Sequence, residues 1–416
     1  MVSSVFIRGI LEMKHIIILL AASILIFSCG GATSEDAESA RSLVTEKYNR
    51  FGFDIFAEEA ARANGENVFI SPTSISFALA MTAGGADGKT VREMYEAMRL
   101  SGIVEETVRL GSSKLYADLT TEKEKLTLTI ANSVWLKNGI KFKRDFIDYT
   151  EKYFFAECHP ITTPEKINSW VKDNTGDKIE RIVDSISPDD IAFLINAVYF
   201  KGVWQKEFDR DKTSIRDFNP ASGNPVKVDM MRRNDEFRYL DADSFQAVTI
   251  PYSEGEMNIY LFLPDEDFGL SGFNDSFDYE YWDQTRNSFR SRKGTVELPR
   301  LKIEFKSILN QPLQKLGMKT AFSGSEADFS RMCEVKGQNV FISEVLHKTF
   351  LKVNEEGTEA AAVTSVRMKL TSVRQEPPPF HLVFDRPFFM MIVDERSGAV
   401  LFMGNITLPP AAGSVE

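Results

Sequence analysis

Ten residues, Glu355 to Thr364, constrain this chain more than any other stretch of its 416. The run opens with two acids and a glycine, Glu355-Glu356-Gly357, and continues Thr358-Glu359-Ala360-Ala361-Ala362-Val363-Thr364. A permanent surface loop has no use for three consecutive alanines. A permanent helix would not follow them with Val363-Thr364-Ser365-Val366, where β-branched residues favour strand. The tail from Ser365 is polar and irregular and ends in the prolines Pro377 to Pro379. The segment is undecided between loop, helix and strand, and any fold assigned to the chain must make use of that.

The chain is 43% hydrophobic and 26% charged, ordinary globular values with ample material for a large core. A formal charge of −11 argues against nucleic acid as a partner. With only 4 histidines the supply of metal donors is poor, and no metal or cofactor is expected. Met13-Lys14-His15 precedes an apolar run, Ile16 to Phe27, too short for a comfortable membrane span, so residues 1–29 read as a signal peptide with residues 1–12 an over-extension upstream of Met13. Ile26-Phe27-Ser28-Cys29-Gly30 resembles a bacterial lipobox. That resemblance implies lipidation of Cys29, a membrane anchor and an extracytoplasmic place at the cell envelope or surface; the alternative is an ordinary secretory signal. Residues 30–39 read as a polar tether. Cys158 and Cys333 are too few for a disulfide framework and are expected as buried free thiols.

Beyond the tether, a helix is expected from Ser42 to about Asn64-Gly65, a short strand at Asn67 to Ile70, and a helix opened by Ser71-Pro72 and broken by Gly84-Gly85. Gly84 to Thr90 has the look of a phosphate loop but fails its spacing, because Ala83 stands where a glycine is needed; a helix–turn–helix link fits better. Strands are expected at Leu126 to Leu136, Ile191 to Trp204, Val248 to Pro251, Met257 to Leu263, Gly294 to Phe305 and Val340 to Val353. A helix lies between at Ile167 to Gly176, a short one at Leu309 to Leu316, and a core hairpin spans Leu382 to Gly404. Asn196 is a polar residue in a long apolar strand and needs a buried partner. Without repeats or internal linkers, residues 40–412 read as one mixed α+β domain.

These stretches match a family in order. Asn67 to Ile75, Asn196-Ala197-Val198-Tyr199-Phe200-Lys201-Gly202-Val203-Trp204, Leu261 to Pro264, Val296 to Leu301, the opening run, Arg386-Pro387-Phe388 and Leu401 to Asn405 together resemble a serpin over nearly the whole chain past the tether. The resemblance implies the serpin fold: three β-sheets, eight or nine helices and an exposed reactive loop at about residues 355–379. It implies a monomer that traps serine or cysteine endopeptidases. The protease attacks a loop bond, an acyl-enzyme forms, and the loop inserts into the central sheet. Ser71, Ser74, Asn196 and His347 then take the place of a shutter beneath that sheet. Trp204, Arg300 and Glu355 take the place of a breach where insertion begins. Glu355, Gly357, Thr358, Glu359, Ala360, Ala361 and Ala362 form the hinge.

An inserting strand alternates its faces. Thr358, Ala360, Ala362 and Thr364 form a small, uncharged set fit to pass under a sheet, while Gly357, Glu359, Ala361 and Val363 carry the charge and are expected to face solvent. The family's spacing sets the attacked bond at Thr371-Ser372, with Lys369, Leu370 and Arg374 as alternatives; counting back from Arg386-Pro387-Phe388 points nearer Glu376. A non-inhibitory serpin, acting as chaperone, carrier or storage protein, is the second reading, and the hinge lacks the proline, charge or bulk that would favour it. An enzyme is the third. His15 falls in the leader, His159 in a turn before Pro160, and His347 and His381 in core-like strands, with no catalytic motif around them. The basic cluster Lys137, Lys141, Lys143 and Arg144 reads as a solvated face.

Overall fold

The computed structural model describes residues 33–121, 125–253, 255–334, 339–358 and 377–415. Fifteen strands follow in chain order: β1 (Val68–Ile70), β2 (Leu126–Lys137), β3 (Glu157–Ile161), β4 (Ala192–Val203), β5 (Ser214–Phe218), β6 (Val226–Asp241), β7 (Phe245–Tyr252), β8 (Met257–Pro264), β9 (Arg290–Pro299), β10 (Leu301–Ile308), β11 (Glu344–Val353), β12 (Gly357–Thr358), β13 (Phe380–Val383), β14 (Phe388–Asp394) and β15 (Val400–Ile406). Nine α-helices accompany them among the described residues.

The strands form two hydrogen-bonded sheets. The six-stranded one runs β10-β11-β4-β2-β3, with β12 also on β4. The nine-stranded one runs β1-β15-β14-β8-β7-β6-β9-β13, with β5 on β6. Long β6 serves two halves of the larger sheet, pairing with β9 over Met230 to Tyr239 and with β7 only over Arg238 to Asp241.

Strand β4 is apolar on both faces because both are covered. Its Phe193, Ile195, Ala197 and Tyr199 pack with Ile167 and Val171 of the helix Pro164–Asn174. Its Leu194, Val198 and Phe200 turn to the main core. On that side lies the helix Pro72–Ala83, in which every residue is buried. A helix buried all round has no solvent face to give its serines, so their hydroxyls must find partners inside.

Several expectations shift. Residues 34–39 are not tether: the first helix spans Ser34–Arg62, capped by Thr33 and Asp36, each side chain bonded to the other's backbone. The run Gly294 to Phe305 is two strands in two sheets, β9 and β10, turning at Arg300, whose N–H bonds Asp229. His159 lies in β3 rather than a turn, stacked 4.5 Å from Trp135. His381 is in a strand but exposed. Cys158 and Cys333 are free thiols, the first only partly buried. Cys29 and the signal segment lie outside the described residues.

The early helix start can be checked by hydrogen exchange. Amides from Ala37 to Ala40 should be protected, and Thr33→Ala should speed their exchange about fivefold, since an N-cap contributes about 1 kcal/mol. Unprotected amides there in the unmodified chain would restore the tether reading.

Candidate functional site

The two central strands of the smaller sheet, β4 and β11, run parallel although their neighbours are antiparallel to them. They pair from Glu344 opposite Phe193 to Phe350 opposite Tyr199, and no further. Past that point β11 keeps only β10 among the described residues. The end of β4 is taken by β12, with Gly357 opposite Val203 and Thr358 opposite Gly202, in antiparallel register. The seam is therefore closed along most of its length and wedged open at one end by Gly357 and Thr358, the third and fourth residues of the undecided segment.

One polar row crosses the seam. His347 is register-matched to Asn196 on β4, which is matched to Asn132 on β2. His347 Nδ1 donates to Asn196 Oδ1 at 2.5 Å, and Asn196 Nδ2 donates to Asn132 Oδ1 at 2.5 Å. Asn196 Nδ2 also reaches the carbonyl and hydroxyl oxygens of Ser74, at 3.0 and 2.5 Å. The backbone N–H of Ser71 donates to His347 Nε2 at 3.1 Å, which fixes the imidazole as the neutral Nδ1–H tautomer. Ser71 Oγ then donates to the Leu401 carbonyl of β15 at 2.6 Å, tying the helix start to the larger sheet. All five side chains are buried. Burial pushes the His347 pKa down to about 3. The structure thus brings Ser71, Ser74, Asn196 and His347 together, and adds Asn132.

The open end is built around a carboxylate. Glu355 is only 2% exposed. Arg300 donates to it through Nε at 2.9 Å and Nη2 at 2.8 Å, and Thr213 Oγ1 donates at 2.5 Å. Burial opposes ionisation of Glu355, but the Arg300 and Thr213 hydrogen bonds outweigh it and hold the pKa below the usual value. The Arg300–Glu355 pair is thus no loose surface contact. Arg300 can reach it because it stands at the corner where β9 leaves one sheet and β10 begins the other.

Trp204 completes the site. Its indole N–H donates to the Asn354 carbonyl at 2.9 Å, its backbone N–H donates to the Glu356 carbonyl at 2.9 Å, and its ring stacks on Tyr252 at 4.3 Å. Asn354 and Gly357 bond each other's backbones, making a tight turn between β11 and β12. Gly357 has φ +140°, and a Cβ there would stand 2.2 Å from the Gly202 carbonyl oxygen. Expected to face solvent, Gly357 is instead buried against the β4 backbone. Thr358 is fully buried, its Oγ1 3.0 Å from the Tyr252 hydroxyl.

Glu359, Ala360, Ala361, Ala362 and the bond region Lys369, Leu370, Thr371, Ser372 and Arg374 lie outside the described residues. Sequence reading missed Asn132, Thr213, Tyr252 and Asn354. Asn132 carried the same signal as Asn196, an amide inside an apolar strand. Thr213 and Tyr252 gave none, since their roles arise only from tertiary contact. On β9, beside β13, Glu297 is buried and bound by Arg216 Nη1 at 2.8 Å and His381 Nε2 at 2.9 Å.

Comparison with known proteins accords with this geometry. The family model for Serpin (serine protease inhibitor) matches residues 46–409. Human Serpin B8 is 34% identical over 377 residues, covering 88% of this chain and 99% of that protein. The leukocyte elastase inhibitor of Bos taurus is 33% identical, covering 86% and 98%. The solved structure of the thermophilic serpin Tengpin in the native state superposes with a TM-score of 0.79 at 31% identity, covering 87% of this chain and 94% of that one. The chain belongs to the serpin family, with its fold.

The His347 pKa has a consequence for stability. Folded His347 titrates near 3 and an unfolded histidine near 6.5. The unfolded chain therefore binds the extra proton first as pH falls. The stabilisation is complete above 6.5 and is lost on acidification toward 3, at a slope of up to about 1.4 kcal/mol per pH unit from this group. The urea midpoint should fall between pH 6.5 and 4.5, and His347→Gln should flatten that part of the profile. Identical pH slopes for both proteins would remove His347 from the account.

Proposed function

We propose that this protein inhibits endopeptidases of the serine or cysteine class by a single-turnover trap. The carrying observation is β12: Gly357 and Thr358 are already seated on β4, antiparallel, at the open end of a parallel seam. Extending that register residue by residue sets Ala360 opposite Phe200, Ala362 opposite Val198 and Thr364 opposite Asn196. Met368 would reach Ala192, where β4 begins. Lys369 to Arg374 would then emerge beyond the end of the strand, which suits them as the region a protease attacks.

The chemistry follows from the alternation. Thr358 faces the Tyr252 hydroxyl on the core side, so Ala360, Ala362 and Thr364 would follow it there. Each is small and uncharged, and none needs a cavity larger than strand separation provides. A strand inserted here would exchange one parallel pairing for two antiparallel ones, which are the more stable kind. It would also part His347 from Asn196 and bring the Thr364 hydroxyl between them. Cleavage at Thr371-Ser372 by an attacking serine or cysteine gives an acyl-enzyme, and insertion would carry the bound protease away before water releases it. Two relatives bear inhibitor names: the Bos taurus elastase inhibitor and the intracellular coagulation inhibitor 2 of Tachypleus tridentatus, the latter 30% identical.

Incubation with trypsin-, elastase- and subtilisin-like proteases should yield a complex that survives SDS with at least one, and the released C-terminal peptide should begin at Ser372. Cleavage of the loop without any such complex would point to the non-inhibitory reading. Thr358→Arg is the sharper test. It buries a cation at a site that holds a hydroxyl, and should raise the stoichiometry of inhibition at least about tenfold, turning inhibitor into substrate. An unchanged stoichiometry would contradict insertion through Thr358.

A further inference from the structure

We infer that a second site, remote from the seam, binds a planar aromatic monocarboxylate. A cavity of about 500 Å³ opens between the helix Glu105–Thr120, the helix Arg144–Phe154, the Gly84 end of the helix Pro72–Ala83 and the turn that carries Arg331. That volume is within the usual range for small-molecule sites.

Its aromatic floor is built by the glycine pair that resembled a phosphate loop. A Cβ on Gly84 would stand 2.3 Å from the Tyr149 ring, and one on Gly85 would stand 2.8 Å from the Phe146 ring. The pair makes room for aromatic rings where such a loop would cradle phosphate. Phe146, Tyr149 and Tyr153 follow one another along a single helix, with the Phe146 and Tyr149 rings 26° apart at 6.4 Å and the Tyr149 and Tyr153 rings 5.7 Å apart. Arg109 covers the far ring, its guanidinium 4.9 Å over Tyr153.

The polar groups call for an acceptor. Arg109 is neutralised by Glu106, its Nη2 at 3.0 Å, and its buried Nε has no hydrogen-bond partner among the described residues. The Tyr149 hydroxyl lies beside Gly84 with no hydrogen bond among the described residues. Burial pushes its pKa up, so it stays a donor. The exposed Lys143 makes no ion pair among the described residues. Arg331 is already neutralised by Glu105 at 2.8 Å, and Asp148 by Arg144 at 2.8 Å. Unspent donors thus outnumber the one unspent acid of the lining, exposed Asp145. A carboxylate can take the donors from Tyr149 and Lys143 while its ring lies on the aromatic floor. Asp145 would repel a second negative charge, which disfavours phosphates and dicarboxylates.

The test uses 2-naphthoate as probe on the intact chain, followed by calorimetry. One molecule should bind per chain with a Kd on the order of 10–100 µM. The neutral 2-naphthamide should bind at least about tenfold more weakly, and inorganic phosphate should not compete. Tyr149→Phe and Lys143→Gln should each weaken binding about fivefold. The first removes only an unpartnered hydroxyl and the second alters an exposed side chain, so both should fold. No naphthoate binding up to about 1 mM, equal affinity for the amide, or full affinity in both variants would overturn the assignment. Protease trapping is a separate readout and bears on none of these outcomes.

Discussion

Strands β4 and β11 share hydrogen bonds along their ladder, but the contact that distinguishes their seam is His347 Nδ1 donating to Asn196 Oδ1 at 2.5 Å. It lies at the middle of a parallel pairing inside a sheet otherwise made largely of apolar residues. Each partner is buried, so neither can turn to water if the other leaves. Ser71, Ser74 and Asn132 satisfy the remaining polar atoms except Asn132 Nδ2, which has no partner among the described residues. The row spans three strands and grips the buried helix Pro72–Ala83, whose Ser71 also holds β15 of the larger sheet. Opening the seam therefore disturbs both sheets and the helix between them. In the proposed reaction the seam would therefore open as a cooperative element rather than as a crack that widens gradually.

Much of this is legible in the residues themselves. A polar residue in an apolar strand must be paired, and Asn196 and His347 stand out on that ground alone. The alternation at Gly294 to Phe305 holds a further message. Apolar residues fall on even numbers at Val296 and Leu298 and on odd numbers at Leu301 and Ile303. The phase slips by one at Pro299-Arg300, which is where the chain changes sheets. The start of the first helix is legible too, in a threonine three residues before an acid, Thr33 and Asp36, the signature of a capping box. Composition hides it, because the exposed face of that first turn is as polar as a tether. Thr213 and Tyr252 could not be found, since nothing local in the sequence says that a surface threonine will meet a carboxylate 142 residues away.

The Glu355–Arg300 pair gives the seam its direction. Carboxylates are seldom as deeply buried as Glu355, and a buried ion pair is a weak source of net stability, because desolvation offsets most of the attraction. What the pair supplies is position. It holds the end of β11 to the corner where the two sheets meet, and Trp204 fixes the next turn through the Asn354 carbonyl. Gly357 can then lie flat on β4 only because it lacks a Cβ. The chain is thus delivered to the open end of the seam at one fixed register. In the proposed reaction, insertion begins at Thr358 and must proceed toward Asn196, since the opposite end is still paired. The polar row is met midway, after Ala360 and Ala362 have passed under the sheet. By then new ladder bonds on both sides would compensate for parting His347 from Asn196, and Thr364 would arrive with a hydroxyl able to bond what was separated. The order of small residues in the segment is the order in which the seam would need them.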